Sequence, residues 1–258
     1  MDYKQYILRV LRIFLRIVRT FFAKLIDPQV KAMSLIEKSA CLNVNDCVEG
    51  DYYEFGVFRG TYFFNAYKAL KRAHNRRIDN SLAQLTEGQI NALKDKWDKM
   101  RFFAFDSFEG LPEIEGLDKS SDEFKKGQFA CSDVEFSQII ASEGVNLDKT
   151  VLIKGWFNET CNQQTKIDQN ITKASIVMID CDLYESTVDC LKFIEGILTD
   201  GTIIIFDDFN SFRASPFLGE RRAFNEMQKR MPDWVFHKFA NEPNHYSRVA
   251  FVANKIVK

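Results

Sequence analysis

Two adjacent carboxylates, Asp207 and Asp208, follow the apolar run in "GTIIIFDDFN". A second pair, Asp180-x-Asp182, follows the apolar run in "ASIVMIDCDLY". Asp is also a common turn residue, so either pair alone could simply end a strand. If the two runs are neighbouring parallel strands, their tips bring three or four carboxylates together. Such a set repels itself and raises its own pKa values unless something neutralises it. A hard divalent cation does so and prefers oxygen ligands. The sequence shows no Lys or Arg cluster at these strand ends and no Cys/His set around them, so Mg2+ fits better than Zn2+. Asp180, Asp207 and Asp208 are the expected metal ligands, with Asp182 a fourth candidate.

Two further apolar runs end on groups able to hold a ligand. "DYYEF" leads into Glu54-x-Gly56-x-x-x-Gly60. Glycines at a strand-to-helix turn allow tight backbone geometry and close approach of a ligand. A dinucleotide fingerprint needs a glycine where Phe58 stands, which disfavours NAD. "RFFAF" ends on Asp106, whose carboxylate could accept hydrogen bonds from both hydroxyls of a ribose or could cap a turn.

The elements that must position these groups alternate in type. "DYYEFGVF", "RFFAFDSF", "TVLIKGWF", "ASIVMIDCDLY" and "GTIIIFDDF" read as strands. "TYFFNAYKALKRAHNRR", "ESTVDCLKFIEGIL" and "GERRAFNEMQKRM" read as helices, with Pro232 ending the last. "DWVFHKFA" and "SRVAFVAN" look like a closing antiparallel pair. This alternation implies an α/β domain with a mostly parallel sheet, whose ligands bind beyond the carboxyl ends of the strands. "SLAQLTEGQINALKDKWDKM" reads as a polar helical insertion.

The chain has 258 residues, 46% of them hydrophobic and 28% charged, enough for a sizeable core. A formal net charge of −1 gives no argument for a nucleic-acid partner. The charge is uneven: residues 1–31 hold seven Lys and Arg against Asp2 and Asp27, a net +5. Within them, "QYILRVLRIFLRIVRTFFAKLI" carries Arg9, Arg12, Arg16 and Arg19 on one helical face. A membrane span needs about 20 mostly apolar residues without such interruptions. The stretch is therefore expected to be a basic amphipathic helix, lying on an anionic membrane surface or packing on the body or a second subunit. The six cysteines form no C-x-x-C pair, which points to a reducing compartment, the cytoplasm.

Five stretches taken in order, "VEGDYYEFGVFRGTY", "FFAFDSFEGLP", "KGWFNET", "MIDCDLYEST" and "IIIFDDF", closely resemble the macrocin O-methyltransferase family. The resemblance runs from about Val48 to the C-terminus. It implies a class I methyltransferase fold, Rossmann-like, with a seven-stranded sheet whose last pair is antiparallel. The domains expected are 1–47, an N-terminal helical extension, and 48–258, the methyltransferase domain. The resemblance further implies S-adenosylmethionine and Mg2+ as cofactors and a sugar hydroxyl as acceptor, with homo-oligomers common in the family. Residue by residue, Glu54, Gly56 and Gly60 would line the methionine end of the cofactor, with Phe58 and Thr61 on the same turn. Asp106 and Ser107 would hold the ribose, with Phe108 beside them. Gly155, Trp156 and Phe157 fall next to the site, and Asp180 would touch both cofactor and metal. The family pattern commonly reads Gly-Gly-Ser where this chain has Gly60-Thr61-Tyr62. The insertion around Asn80–Met100 and the Arg-rich N-terminal helix lie outside the motifs and are expected to build the acceptor pocket.

A sugar hydroxyl needs a base to take its proton. Asp182 and His245 are the candidates, while His74 and His237 fall in helix and strand patterns and read as structural. Arg221 and Arg222 at a helix start could face an anionic acceptor, but such pairs more often form a solvated face. Two other functions stay open on these residues: a catechol-type O-methyltransferase using the same carboxylate plan, and a catalytically silent cofactor-binding scaffold. A set of mutually repelling acids argues against the silent protein.

Overall fold

The apolar runs become seven strands in the computed structural model, which describes residues 33–80, 84–114, 116, 119 and 124–256. They are β1 (Asp51–Phe55), β2 (Phe102–Asp106), β3 (Thr150–Lys154), β4 (Ala174–Ile179), β5 (Leu198–Phe206), β6 (Trp234–Asn241) and β7 (Val249–Lys255). Together they form a single sheet in the order β3-β2-β1-β4-β5-β7-β6. β1 to β5 run parallel, and β7 is antiparallel to both β5 and β6. The closing antiparallel pair read from the sequence is therefore present. The predicted basic helix over residues 5–26 lies outside the described residues. No helix among the described residues is long and apolar enough to cross a membrane.

Alternate residues of each strand enter two cores, as the two-residue period of a strand requires. Tyr52, Phe102, Ala104, Ile176, Met178, Ile203 and Ile205 point to one side. Helices α1 (Leu35–Asn45), α2 (Thr61–Asp79), α3 (Glu87–Lys99) and α4 (Asp133–Ser142) contribute to the core on that side. Tyr53, Phe55, Phe103, Phe105, Val177, Ile179, Ile204 and Phe206 point to the other. There they meet the short helix α5 (Phe157–Thr160) and, after the short helix α6 (Gln163–Asp168), helices α7 (Tyr184–Glu195) and α8 (Gly219–Arg230). The strands are buried on both faces, which explains why they read as continuous apolar runs rather than alternating ones.

Residues 34–47, placed with the N-terminal extension on sequence, include a helix that belongs to the core. Ser34 caps α1 in a reciprocal box with Glu37. Leu35, Ile36, Ala40 and Val44 are buried in the same cluster as Phe63 and Leu70 of α2.

None of the described residues of the insertion lines the cavity beyond the carboxyl ends of the strands. The insertion forms α3, capped by Thr86 and Gln89. Trp97 packs on Tyr67, His74 and Phe102. Lys149, just before β3, donates to the Trp97 and Asp98 carbonyls at 2.6 and 2.7 Å. α3 leads directly into β2, so its C-terminal end sits at the amino ends of the strands. The carboxyl ends, beyond which doubly wound sheets bind ligands, lie opposite.

Candidate active site

The strand order reverses between β1 and β4, the position where doubly wound sheets open a crevice. Gly56, just after β1, follows from that geometry. Its φ is +84°, and a Cβ there would stand 1.9 Å from the Asp180 carbonyl oxygen. Only glycine lets the two strand ends approach this closely.

The crevice is a cavity of about 690 Å³. Its wall includes Gly56, Phe58, Asp106, Ser107, Gly155, Trp156, Phe157 and Asp180 from the expected cofactor set. Asp182, Asp207 and Asp208 line it as well. Segment 110–129 supplies Gly110, Leu111, Pro112, Phe124 and Phe129, which are the residues that take the place of the insertion in the wall. Phe58 and Phe129 meet edge to face at 5.7 Å and are 41% and 48% exposed, forming an apolar lip. Among the described residues of the wall there is no Lys, Arg or His.

Four members of the expected cofactor set stand behind the wall. Gly60 caps α2 with φ +75°, and a Cβ there would press on Ile140 and Phe136 of α4. Phe108 packs on Phe136 in the core. Thr61 is exposed at the first turn of α2. Glu54 is buried and accepts a hydrogen bond from the Tyr52 hydroxyl. The strand period places Glu54 on the α1–α4 face, and chain proximity to Gly56 could not reveal that.

Asp106 does more than end a strand. Its Oδ2 accepts the Val57 and Phe58 amides at 2.7 and 3.2 Å, and its Oδ1 accepts the Phe108 amide at 2.7 Å. One carboxylate thus ties the turn after β1 to the turn after β2. Ser107 Oγ donates to the Gly110 carbonyl.

The three expected metal ligands converge. One oxygen from each of Asp180, Asp207 and Asp208 can be chosen so that all lie within 4.8 Å of one another. Burial, then the charge of Asp207, raises the Asp180 carboxyl well above its ordinary range. Burial, then Asp208, pushes Asp207 up to about 7, and Arg248 ion-pairs with it. Oxygen-only donors of one sign, partly buried and mutually repelling, are the donor set a hard divalent cation takes.

Two residues behind this cluster escaped the sequence reading. Glu220 is fully buried, and its Oε2 accepts the Asp208 amide at 2.9 Å. Burial and Asp208 raise its pKa well above the carboxylate range. Its position at the start of a polar helix gave no signal of burial. Arg248 ion-pairs with Asp207. It is a cation at the strand ends that the local sequence pattern does not show. The antiparallel register pairs Phe206 with Val249, which sets Asp207 opposite Arg248, so the signal lay in pairing the last strand with β5.

His245 is not part of the cavity wall. Its ring stacks on exposed Tyr246 in the β6–β7 loop. Asp182, 8% exposed with φ +62°, is in the wall. Arg221 is not a solvated residue either: its Nε donates to the Phe209 carbonyl at 3.2 Å and its guanidinium stacks on the Phe209 ring. It braces the loop after β5. Arg222 pairs with Glu226 and stacks on Tyr184.

A family model described as macrocin-O-methyltransferase (TylF) matches residues 89–233, more than half of the chain. The chain belongs to the macrocin O-methyltransferase family. Among curated relatives, it is 28% identical over 174 residues to a Streptomyces olivaceus 8-demethyl-8-(2,3-dimethoxy-alpha-L-rhamnosyl)-tetracenomycin-C 4'-O-methyltransferase. The match covers 64% of this chain and 54% of that relative, so the chain spans about half the length of the protein it matches. Solved structures share the fold of this family member. The O-methyltransferase NovP superposes with a TM-score of 0.61 at 19% identity, over 85% of this chain and 78% of that one. CalS11, a calicheamicin methyltransferase, gives 0.58 at 20% identity, over 84% and 76%. A Bacillus cereus O-methyltransferase in complex with SAH gives 0.51 at 14% identity, over 93% and 90%.

Proposed function

We propose that the protein is an S-adenosylmethionine- and Mg2+-dependent O-methyltransferase acting on a sugar hydroxyl of a glycoside, a cell-surface glycan or a glycosylated natural product. The observation that carries this reading is the convergence of Asp180, Asp207 and Asp208 within one cavity that also holds Asp106, Ser107 and Trp156. A cofactor site and a cation site share one wall, as methyl transfer to a metal-oriented hydroxyl requires. Family membership and the relative from Streptomyces olivaceus, a rhamnosyl 4'-O-methyltransferase by name, support the sugar acceptor.

Asp106 and Ser107 would receive the ribose, and Trp156 and Phe157 give the cavity a flat apolar side for the adenine. Asp180, Asp207 and Asp208 would hold Mg2+. When bound, the cation supplies Lewis acidity that lowers the pKa of a coordinated sugar hydroxyl and orients it. Asp182 is the proposed base, a reading supported by its place in the cavity wall, which His245 does not share.

The lack of cationic side chains among the described residues of the wall favours a cationic cofactor and a neutral sugar over an acceptor whose phosphates would enter the cavity. Asp207→Ala, with folding checked by circular dichroism, is expected to lose Mg2+-dependent turnover of the cofactor with glycoside acceptors. Full activity in that variant would overturn the metal role. The Arg-rich stretch near the N-terminus is proposed to give peripheral contact with an anionic membrane. Flotation of the full chain with anionic vesicles, undiminished when Arg9, Arg12, Arg16 and Arg19 are replaced by Glu, would remove that proposal.

A further inference from the structure

Arg248 was not expected at the site and has no role in the reading above, yet it occupies a built position. Its side chain is 11% exposed, and its guanidinium lies 4.0 Å from the centroid of the Tyr62 ring. Nε and Nη2 both donate to Asp207 Oδ1, and no other protein hydrogen bond to that carboxylate is seen among the described residues. A carboxylate gripped through one oxygen is fixed in rotation and keeps the other oxygen for a cation. Asp208 is held on the same plan. Its Oδ1 accepts the Ser211 hydroxyl at 2.8 Å, and its amide is bound by Glu220. The Tyr62 ring is the platform on which Arg248 is seated.

We infer that Arg248, seated on Tyr62, is a positioning residue that holds the Asp207 carboxylate in place for the cation. The inference rests on the cation-site reading above. Two effects compete. The guanidinium repels a divalent cation, and its loss would relieve that repulsion. Its loss also leaves Asp207 facing Asp180 and Asp208, whose like charges turn it away from the cluster. The cation must then do the work of holding three carboxylates together. The orienting effect wins, because no other described hydrogen bond sets the rotation of the Asp207 carboxylate once Arg248 is gone. Groups that hydrogen-bond a metal-ligating side chain cost about 10–100-fold in metal affinity when removed.

The experiment is titration of Mn2+, a spectroscopic stand-in for Mg2+, into the full chain, followed by the electron paramagnetic resonance of free Mn2+. Cofactor affinity is measured by calorimetry in cation-free buffer. Arg248→Met is expected to weaken Mn2+ binding about 10–100-fold while leaving cation-free cofactor affinity unchanged. Arg248→Lys restores part of the loss, since an ammonium keeps the charge but not the fork. Tyr62→Leu, which leaves Arg248 in place without its platform, weakens binding by about 2–5-fold. Mn2+ binding in Arg248→Met that is unchanged or tighter, in a folded protein, overturns the inference and leaves the cation-site reading standing. If Arg248→Met does not fold, wild-type Mn2+ affinity in Tyr62→Leu overturns it instead. Absence of Mn2+ binding in the wild-type chain overturns both readings.

Discussion

Glu54→Gln tests the electrostatics behind the site most directly. Glu54 is 1% exposed on β1. Burial above all, with Asp207 and Asp106 adding to it, pushes its pKa from 4.5 up to about 8, while the Tyr52 hydroxyl pulls the other way. The folded protein therefore keeps Glu54 protonated where the unfolded chain has lost that proton. Stability from this group is fully present below pH 4.5 and is lost as pH rises to about 8. The full span corresponds to an upper bound of about 5 kcal/mol. Solvent relaxation around the cavity reduces this, and about 2 kcal/mol is the working figure. In a domain of this size that is about 4–8 °C in Tm. Glutamine reproduces the neutral acid and still accepts from Tyr52, but it does not titrate. In cation-free buffer the wild-type Tm is expected to fall between pH 5 and pH 8 by about 4–8 °C more than that of Glu54→Gln. Differential scanning calorimetry across that range measures it. Parallel curves for the two proteins would refute a protonated Glu54.

Three other outcomes follow from the same geometry. Gly56→Ala meets the Asp180 carbonyl at 1.9 Å and puts a side chain at φ +84°; a loss of about 3 kcal/mol in urea unfolding and loss of cofactor binding are expected, and a wild-type midpoint would show that the strand ends can part. Asp106→Ala strips the acceptor from three amides, those of Val57, Phe58 and Phe108; about 3 kcal/mol of stability and at least about tenfold in S-adenosylmethionine affinity by calorimetry should be lost together. Trp97→Ala, at the far end of the sheet, should cost about 2 kcal/mol and leave the cofactor dissociation constant unchanged; a weakened cofactor site there would reinstate the insertion as part of the pocket.

The carboxylates were legible in the sequence because each one ends a long apolar run. A run such as Ile203–Phe206 can only be a buried strand, and parallel strands in one sheet put their carboxyl ends on one face whatever the detailed packing. Asp180, Asp207 and Asp208 could therefore be brought together without coordinates. The alternation of strands and helices fixed the class of fold, and the last two apolar stretches fixed the antiparallel closure. Residues whose roles depend on side-chain direction or on distant pairing were another matter. Glu54 and Gly56 are two apart in sequence, yet one faces the core and the other the cavity. Glu220 sits beside Arg221 and Arg222 in a polar stretch, and only the packing of α8 against the loop after β5 shows it to be buried. Arg248 meets Asp207 across a sequence separation of 41 residues, through the register of β7 on β5. Local pattern records which residues end an element. It does not record which element lies beside it, and the counter-charge on Asp207, like the burial that raises Glu54 and Glu220, comes entirely from that neighbour.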